Sequence, residues 1–248
     1  MYNKFLAILS PIIILSLISF TSYSQLLILD LNNRISPRYG IQKAFDKKDI
    51  GNKNSLTYPD VEGSPYLKET WEQAFVQLKN GNEYLVSKVN LNLYTGELEF
   101  IDNAEVKMTV EPDKIEKVFF LKENDSTLVS SAYVTLYNHI DKKPFAFYQI
   151  LNSGFHQLLS YEKSVVMKSP PDPFVEKKPS YFSTKRYYVI YNNGKIIPLK
   201  SLDQDNIFSA LKVDNEDLLW LKKNKNKLKT AVDVISFLDF YNSIHSQK

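Results

Sequence analysis

The chain has 248 residues, 44% of them apolar and 24% charged. That is enough for a sizeable core near the upper size of one ordinary domain, and it excludes a disordered, collagen-like or polytopic membrane protein. Its 31 basic and 28 acidic residues leave a net charge of +3, too little for strong long-range steering toward nucleic acid or anionic lipid. With no cysteine, disulfides, thiolate metal sites, thiol nucleophiles and iron–sulfur clusters are excluded.

Residues 1–24 have the three parts of a secretory signal: a basic start at Lys4, an apolar stretch from Phe5 through Ile18 within an uncharged run that ends at Phe20, and a small-x-small end at Ser22-Tyr23-Ser24. The uncharged run is shorter than the ~20 residues of a spanning helix, and Pro11 interrupts it. Cleavage before Gln25 is therefore expected, with a periplasmic or extracellular product and no transmembrane span afterwards. Export without disulfides leaves stability to an ordinary hydrophobic core and fits a bacterial envelope protein.

Residues 25–65 read as an irregular arm: the apolar stretch Leu26–Leu31 is followed by mixed charges with Pro37, Gly40, Gly51, Pro59 and Gly63, which punctuate any regular element. Residues 66–200 read as an antiparallel β domain. Ala74–Leu78 and Glu83–Val86 flank Asn80-Gly81, and Tyr187–Tyr191 and Lys195–Leu199 flank Asn193-Gly194; Asn-Gly between such runs predicts a hairpin. Further strands are predicted over Val89–Tyr94, Leu98–Ile101, Val106–Val110, Lys117–Leu121, Ala132–Tyr137, Phe145–Leu151 and Gln157–Tyr161, with one helical turn starting at Pro112. Pro170, Pro171, Pro173 and Pro179 exclude a central strand and predict an exposed loop. Residues 201–248 read as a helical cluster, with capping boxes at Ser201–Gln204 and Thr230–Asp233 and an opening at Asn215-Glu216-Asp217. The predicted architecture is mainly β (α+β): an antiparallel sandwich or open barrel built from meander hairpins, with C-terminal helices.

Catalytic and cofactor motifs are absent. His139, His156 and His245 lack metal-ligand spacing, and Ser153 and Ser160 near His156 lack a nucleophile elbow. Glu97, Glu99 and Asp102 offer carboxylates, but Glu97 and Glu99 read as the solvent face of strands. Asp203-Gln204-Asp205 to Asp214 has calcium-loop length but carries Phe208 at the position that needs glycine. Lys222, Lys223, Lys225, Lys227 and Lys229 form the densest basic run, yet Arg34, Arg38 and Arg186 are the only arginines. A solvated inter-helix segment is expected there, with no nucleic-acid partner. The candidate binding residues are Trp71, Tyr94, Tyr187 and Tyr191. Strand alternation puts Tyr187 and Tyr191 on one face and Tyr188 on the other.

Gly63-Ser64-Pro65-Tyr66-Leu67 leading to Trp71, Val76–Gly81, Asn92–Phe100, and the close with Tyr187-Tyr188, Asn193-Gly194-Lys195, Leu199-Lys200-Ser201 and a helical tail to Tyr241-Asn242 resemble a family of uncharacterised exported β-rich bacterial envelope proteins. The resemblance spans most of residues 25–248 and implies a fold but no activity, catalytic residue or cofactor. The function expected is an exported, non-enzymatic binding or accessory component whose partner is an envelope protein or surface glycan. An exported hydrolase of glycans or peptides, using carboxylates that sequence cannot pair, is the rival.

Overall fold

The computed structural model describes Tyr58 and residues 61–101, 105–123, 125–169 and 179–245. The expected signal 1–24, most of the arm with Leu26–Leu31, Asp102, and the proline-rich stretch 170–178 lie outside the described residues. In chain order the strands are β1 (Val61–Glu62), β2 (Glu72–Leu78), β3 (Glu83–Asn92), β4 (Glu97–Ile101), β5 (Lys107–Val110), β6 (Ile115–Lys122), β7 (Asp125–Asn138), β8 (Lys143–Ile150), β9 (His156–Lys168), β10 (Ser180–Asn192) and β11 (Lys195–Leu199). All belong to one open sheet in the order β1-β10-β9-β8-β7-β6-β2-β3-β4-β5, with β11 also on β10. The expected mainly β architecture is therefore present as one curled sheet, with helices following at the C-terminal end.

Both Asn-Gly hairpins form. At Asn193-Gly194 the φ values of +42° and +88° are the left-handed pair that a two-residue turn between twisted strands requires. Pro112 opens a 3₁₀ turn over Pro112–Lys114. Two local expectations are corrected. The runs at Glu83 and Val89 are one strand, because Ser87-Lys88 is a bulge: Val86 pairs with Ala74 and Val89 with Glu72, so the ladder resumes beyond it. The end of the irregular arm carries β1, which pairs parallel with Ser180-Tyr181 of β10.

Beyond β1 the chain crosses to β3. The Leu67 amide donates to the Leu91 carbonyl at 2.9 Å, and the Leu93 amide donates to the Pro65 carbonyl at 2.7 Å. This strap ties β10 to β3, which are distant in strand order. The Ser164 amide of β9 also donates to the Leu93 carbonyl at 2.9 Å, so the sheet curls until its two arms touch. Inside the curl lie Val76, Leu78, Val89, Leu98, Ile115, Val118 and Phe120, all buried. Full burial of side chains this size contributes ~1.5–3 kcal/mol each.

The helices α1 (Gln204–Ala210), α2 (Asn215–Lys223) and α3 (Ala231–His245) cover one end of β9–β11. There Ile207, Leu221, Leu228, Phe237 and Leu238 pack with Leu158, Ile190 and Leu199. The first cap is Asp203 rather than Ser201: its carboxylate accepts from the Asn206 amide at 2.9 Å, and the Ser201 hydroxyl donates to that carboxylate. A charged acceptor is the stronger cap, and it displaces the hydroxyl. The α2 box runs between Asp214 and Asp217. At α3 the Asp233 amide donates to Thr230 Oγ1 at 3.1 Å and the Thr230 amide to Asp233 Oδ2 at 3.2 Å.

Asn242 of α3 clamps the β8–β9 turn. Its Oδ1 accepts from the His156 amide and its Nδ2 donates to the His156 carbonyl, each at 2.8 Å. Gly154 stands at φ +111°, and a Cβ there would meet Asn242 Nδ2 at 2.4 Å. Gly154→Ala combines left-handed strain with overpacking and is expected to cost about 2–3 kcal/mol in urea unfolding. Gly81→Ala, at φ +84° with nothing within 4 Å of the added carbon, is expected to cost only about 1 kcal/mol. Equal losses at the two sites would contradict the clamp.

Candidate functional site

β8 and β9 leave their turn as a paired ladder, then part. Ile150↔Leu159, Gln149↔Ser160 and Tyr148↔Tyr161 are in register, and among the described residues no further pair joins them. β8 nevertheless runs back to Lys143 on β7, and β9 runs on to Lys168 on β10. The β3–β4 turn enters where they separate, its Leu93 carbonyl on Ser164. Asn92 shapes that turn: its Oδ1 accepts from the Tyr94 amide at 3.0 Å and the Thr95 amide at 3.1 Å.

Between the turn, the 3₁₀ turn and the split strands lies a cavity of about 410 Å³, lined by Leu67, Leu91, Leu93, Tyr133, Phe145, Phe147, Gln149, Ser160 and Glu162 among others. Strand alternation sends Phe145, Phe147 and Gln149 of β8 and Ser160 and Glu162 of β9 to this face. Glu162 accepts from Arg186 Nε at 2.9 Å and Nη2 at 2.8 Å. Burial, with the Glu162 charge second, raises the Tyr133 hydroxyl far above its ordinary pKa, so it stays a protonated donor. At the rim, Lys79 Nζ lies 3.4 Å from the centre of the Phe145 ring. On the opposite face Asp141 accepts from Tyr161 at 2.8 Å and Lys163 at 2.9 Å; burial opposes its ionisation, but these donors win and lower its pKa.

The strap is anchored through a buried carboxylate. Glu99, expected on a solvent face, is 0% exposed. Its two oxygens accept from the Tyr66 hydroxyl at 2.9 Å and Asn92 Nδ2 at 2.7 Å, while Lys107 Nζ donates to the Tyr66 oxygen at 2.9 Å. The strap covers the face of β4 that alternation alone would leave to water. Burial first, then the Glu99 charge, pushes the Tyr66 pKa well up.

Of the four aromatic candidates only Tyr94 lines the cavity. It meets Tyr58 at 5.5 Å and Phe182 at 5.6 Å between ring centres. Trp71 packs on Tyr66 with Lys107 over its ring. Tyr187 stacks on Tyr161, and with Tyr191 it joins the cluster around Tyr148 and Val189, whereas Tyr188 faces the helices, as the alternation requires. Sequence reasoning missed Tyr133, Phe145, Phe147 and Glu162 as neighbours. The available signal was Pro144, a residue that strands tolerate at a free edge.

The histidines have structural partners. The His156 ring lies 3.3 Å by Nδ1 from Asn242 Oδ1 and 2.8 Å by Nε2 from Asn192 Nδ2, which makes Nδ1 the protonated nitrogen. His139 packs edge-on against Tyr137. His245 reaches Asp217 at 3.2 Å, and Asp214, Asp217 and His245 bring ligand-type atoms within 4.8 Å of one another; helix capping and this hydrogen bond account for that grouping. Lys225, Lys227 and Lys229 lie between α2 and α3, exposed around the buried Leu228.

No family model, curated protein or solved structure matches the chain.

Tyr66→Phe removes a donor from buried Glu99 and is expected to cost about 1–3 kcal/mol in urea unfolding; an unchanged midpoint would remove the anchor role. Burial lowers the His156 pKa, partly opposed by Asn242. The unfolded chain then takes up the proton first as pH falls, so this stability is complete above about pH 6.5 and declines below it. In pH-dependent denaturation, His156→Gln should flatten the slope just below that point, and an unchanged slope would refute the assignment.

Proposed function

We propose that the chain is an exported, non-enzymatic binding or accessory protein of the cell envelope that holds its ligand in the cavity between β8, β9 and the β3–β4 turn. The observation that carries this reading is the cavity itself. Its 410 Å³ falls within the ~300–1,000 Å³ of ligand sites, and such sites combine apolar walls with a few convergent polar groups. Phe145, Phe147, Leu91 and Leu93 supply the walls; the Tyr133 hydroxyl, Gln149, Ser160 and Glu162 supply the polar groups. The structural engagement of His139, His156 and His245 supports binding rather than acid–base chemistry. Export rests on the leader at residues 1–24, and an envelope protein or surface glycan remains the class of partner.

The test uses the apolar fluorophore 1-N-phenylnaphthylamine with the purified protein. Saturable one-to-one binding is expected. Gln149→Trp, which fills the cavity from its half-buried wall, should weaken it at least roughly tenfold, the effect of losing about 1.4 kcal/mol, with the thermal midpoint retained. Binding that ignores this substitution overturns the site, and untagged protein recovered from the cytoplasm of its host overturns the export.

A further inference from the structure

The helical end of the molecule carries charge and apolar surface that folding does not use. Residues 222–229 hold five lysines and no acid, more positive charge than the net +3 of the whole chain. All five are exposed, and among the described residues none of their ammonium groups has an ion-pair partner. Lys222 and Lys223 close α2, where the negative end of the helix dipole favours cations. That account fails for Lys227 and Lys229, which stand before the positive end of α3, and the crowding of like charges adds self-repulsion.

The segment is nonetheless held in one shape. The Lys225 amide donates to the Lys222 carbonyl at 3.2 Å and the Asn226 amide to the Leu221 carbonyl at 3.0 Å, the paired bonds of a left-handed helix ending. Lys225 fills the turning position at φ +51°, where glycine is the usual residue. Asn226 Nδ2 then donates to the Asp233 carbonyl at 2.7 Å, and Leu228 is buried. A fixed loop therefore presents Lys225, Lys227 and Lys229 to solvent.

Apolar side chains flank this loop. Asp217 and Leu221 are the buried face of α2, so the helical period turns Leu218, Leu219, Lys222 and Lys223 outward, with Glu216 at the far end. Leu218 is 42% exposed, Leu219 67%, and Val232 in the first turn of α3 74%. Beside Lys229 opens a cleft of about 500 Å³, to which Arg186, Lys200, Ser201 and Thr230 also contribute and which no carboxylate lines. Lys200 is exposed, whereas Arg186 is shared with Glu162.

We propose that the outer face of α2, the lysine loop and the start of α3 form a docking surface for an anionic lipid bilayer, on which the protein sits peripherally. Lysines next to exposed leucines are the combination that headgroup phosphates and the acyl boundary attract together. A soluble polyanion has no use for the leucines, and lysine is a point charge rather than the planar fork that reads bases. The cleft beside Lys229 is placed to take a headgroup phosphate. This surface lies apart from the cavity between β8 and β9, and the proposal holds whatever that cavity binds.

The test is co-sedimentation of the protein, as its host produces it, with vesicles of phosphatidylcholine alone or mixed equally with phosphatidylglycerol. Binding is expected to the mixed vesicles only, and to fall as salt is raised. Lys225→Glu, Lys227→Glu and Lys229→Glu combined should weaken it at least about tenfold, whereas arginine at the same three positions keeps it. Leu219→Ser should weaken it severalfold, with the thermal midpoint of every variant retained because the altered side chains are exposed. Equal binding to both vesicle types, or to neither, overturns the proposal. So does binding that survives both the glutamate and the serine substitutions, which would trace it to another part of the chain such as residues 1–24. Heparin bound as tightly as the mixed vesicles, with no effect of Leu219→Ser on either, would make the surface a general polyanion site and overturn the bilayer assignment.

Discussion

The hydrogen bond from the Ser164 amide to the Leu93 carbonyl is the constraint on which the site depends. One amide has one proton to donate, so β9 cannot complete its ladder with β8 at this position while it holds the β3–β4 turn. The choice opens the sheet between strands adjacent in sequence and brings together strands distant in it. The cavity is the space left by that exchange. Its walls come from both arms of the sheet, which is why Leu91 and Phe147 share it although β3 and β8 never pair.

Two polar anchors hold the exchange in place. At one end the strap crosses the opening with Tyr66 on the buried Glu99 and Asn92, and Asn92 also shapes the turn that carries Leu93. A buried carboxylate is costly unless donors satisfy it, so Glu99 makes the position of the strap specific rather than merely sticky. At the other end Asn242 of α3 grips both backbone groups of His156, fixing the start of β9. Between these anchors, the thirteen-residue register of β9 with β10 gives a continuous ladder from which β8 can part without the fold losing its spine.

Sequence legibility followed the range of the interactions. The hairpins at Asn80-Gly81 and Asn193-Gly194, the turn at Pro112 and the openings of α2 and α3 were readable because each is set within four residues, by the backbone angles that glycine, asparagine and proline favour or by a side chain that caps a nearby amide. The face of Tyr187 and Tyr191 was readable because strands have period two. Glu99 was misassigned for the same reason: alternation places a residue on a face but does not say whether a strap from thirty residues earlier covers it. Trp71, Tyr94, Tyr187 and Tyr191 were chosen as aromatic candidates, and only Tyr94 reaches the cavity, because shared residue type carries no information about which strands meet.

By itself the sequence determined a mainly β chain with C-terminal helices, the absence of thiol chemistry and the positions of its tight turns, all consequences of composition, period and local hydrogen bonding. Only the tertiary structure decided that β8 leaves β9 after Tyr148, that Leu93 takes the vacated place on Ser164, and that Tyr133, Phe145, Phe147 and Glu162 enclose one space. Those outcomes depend on which of several equally good backbone partners each strand edge meets. That competition is settled by the curvature of the whole sheet, and no stretch of neighbouring residues encodes it.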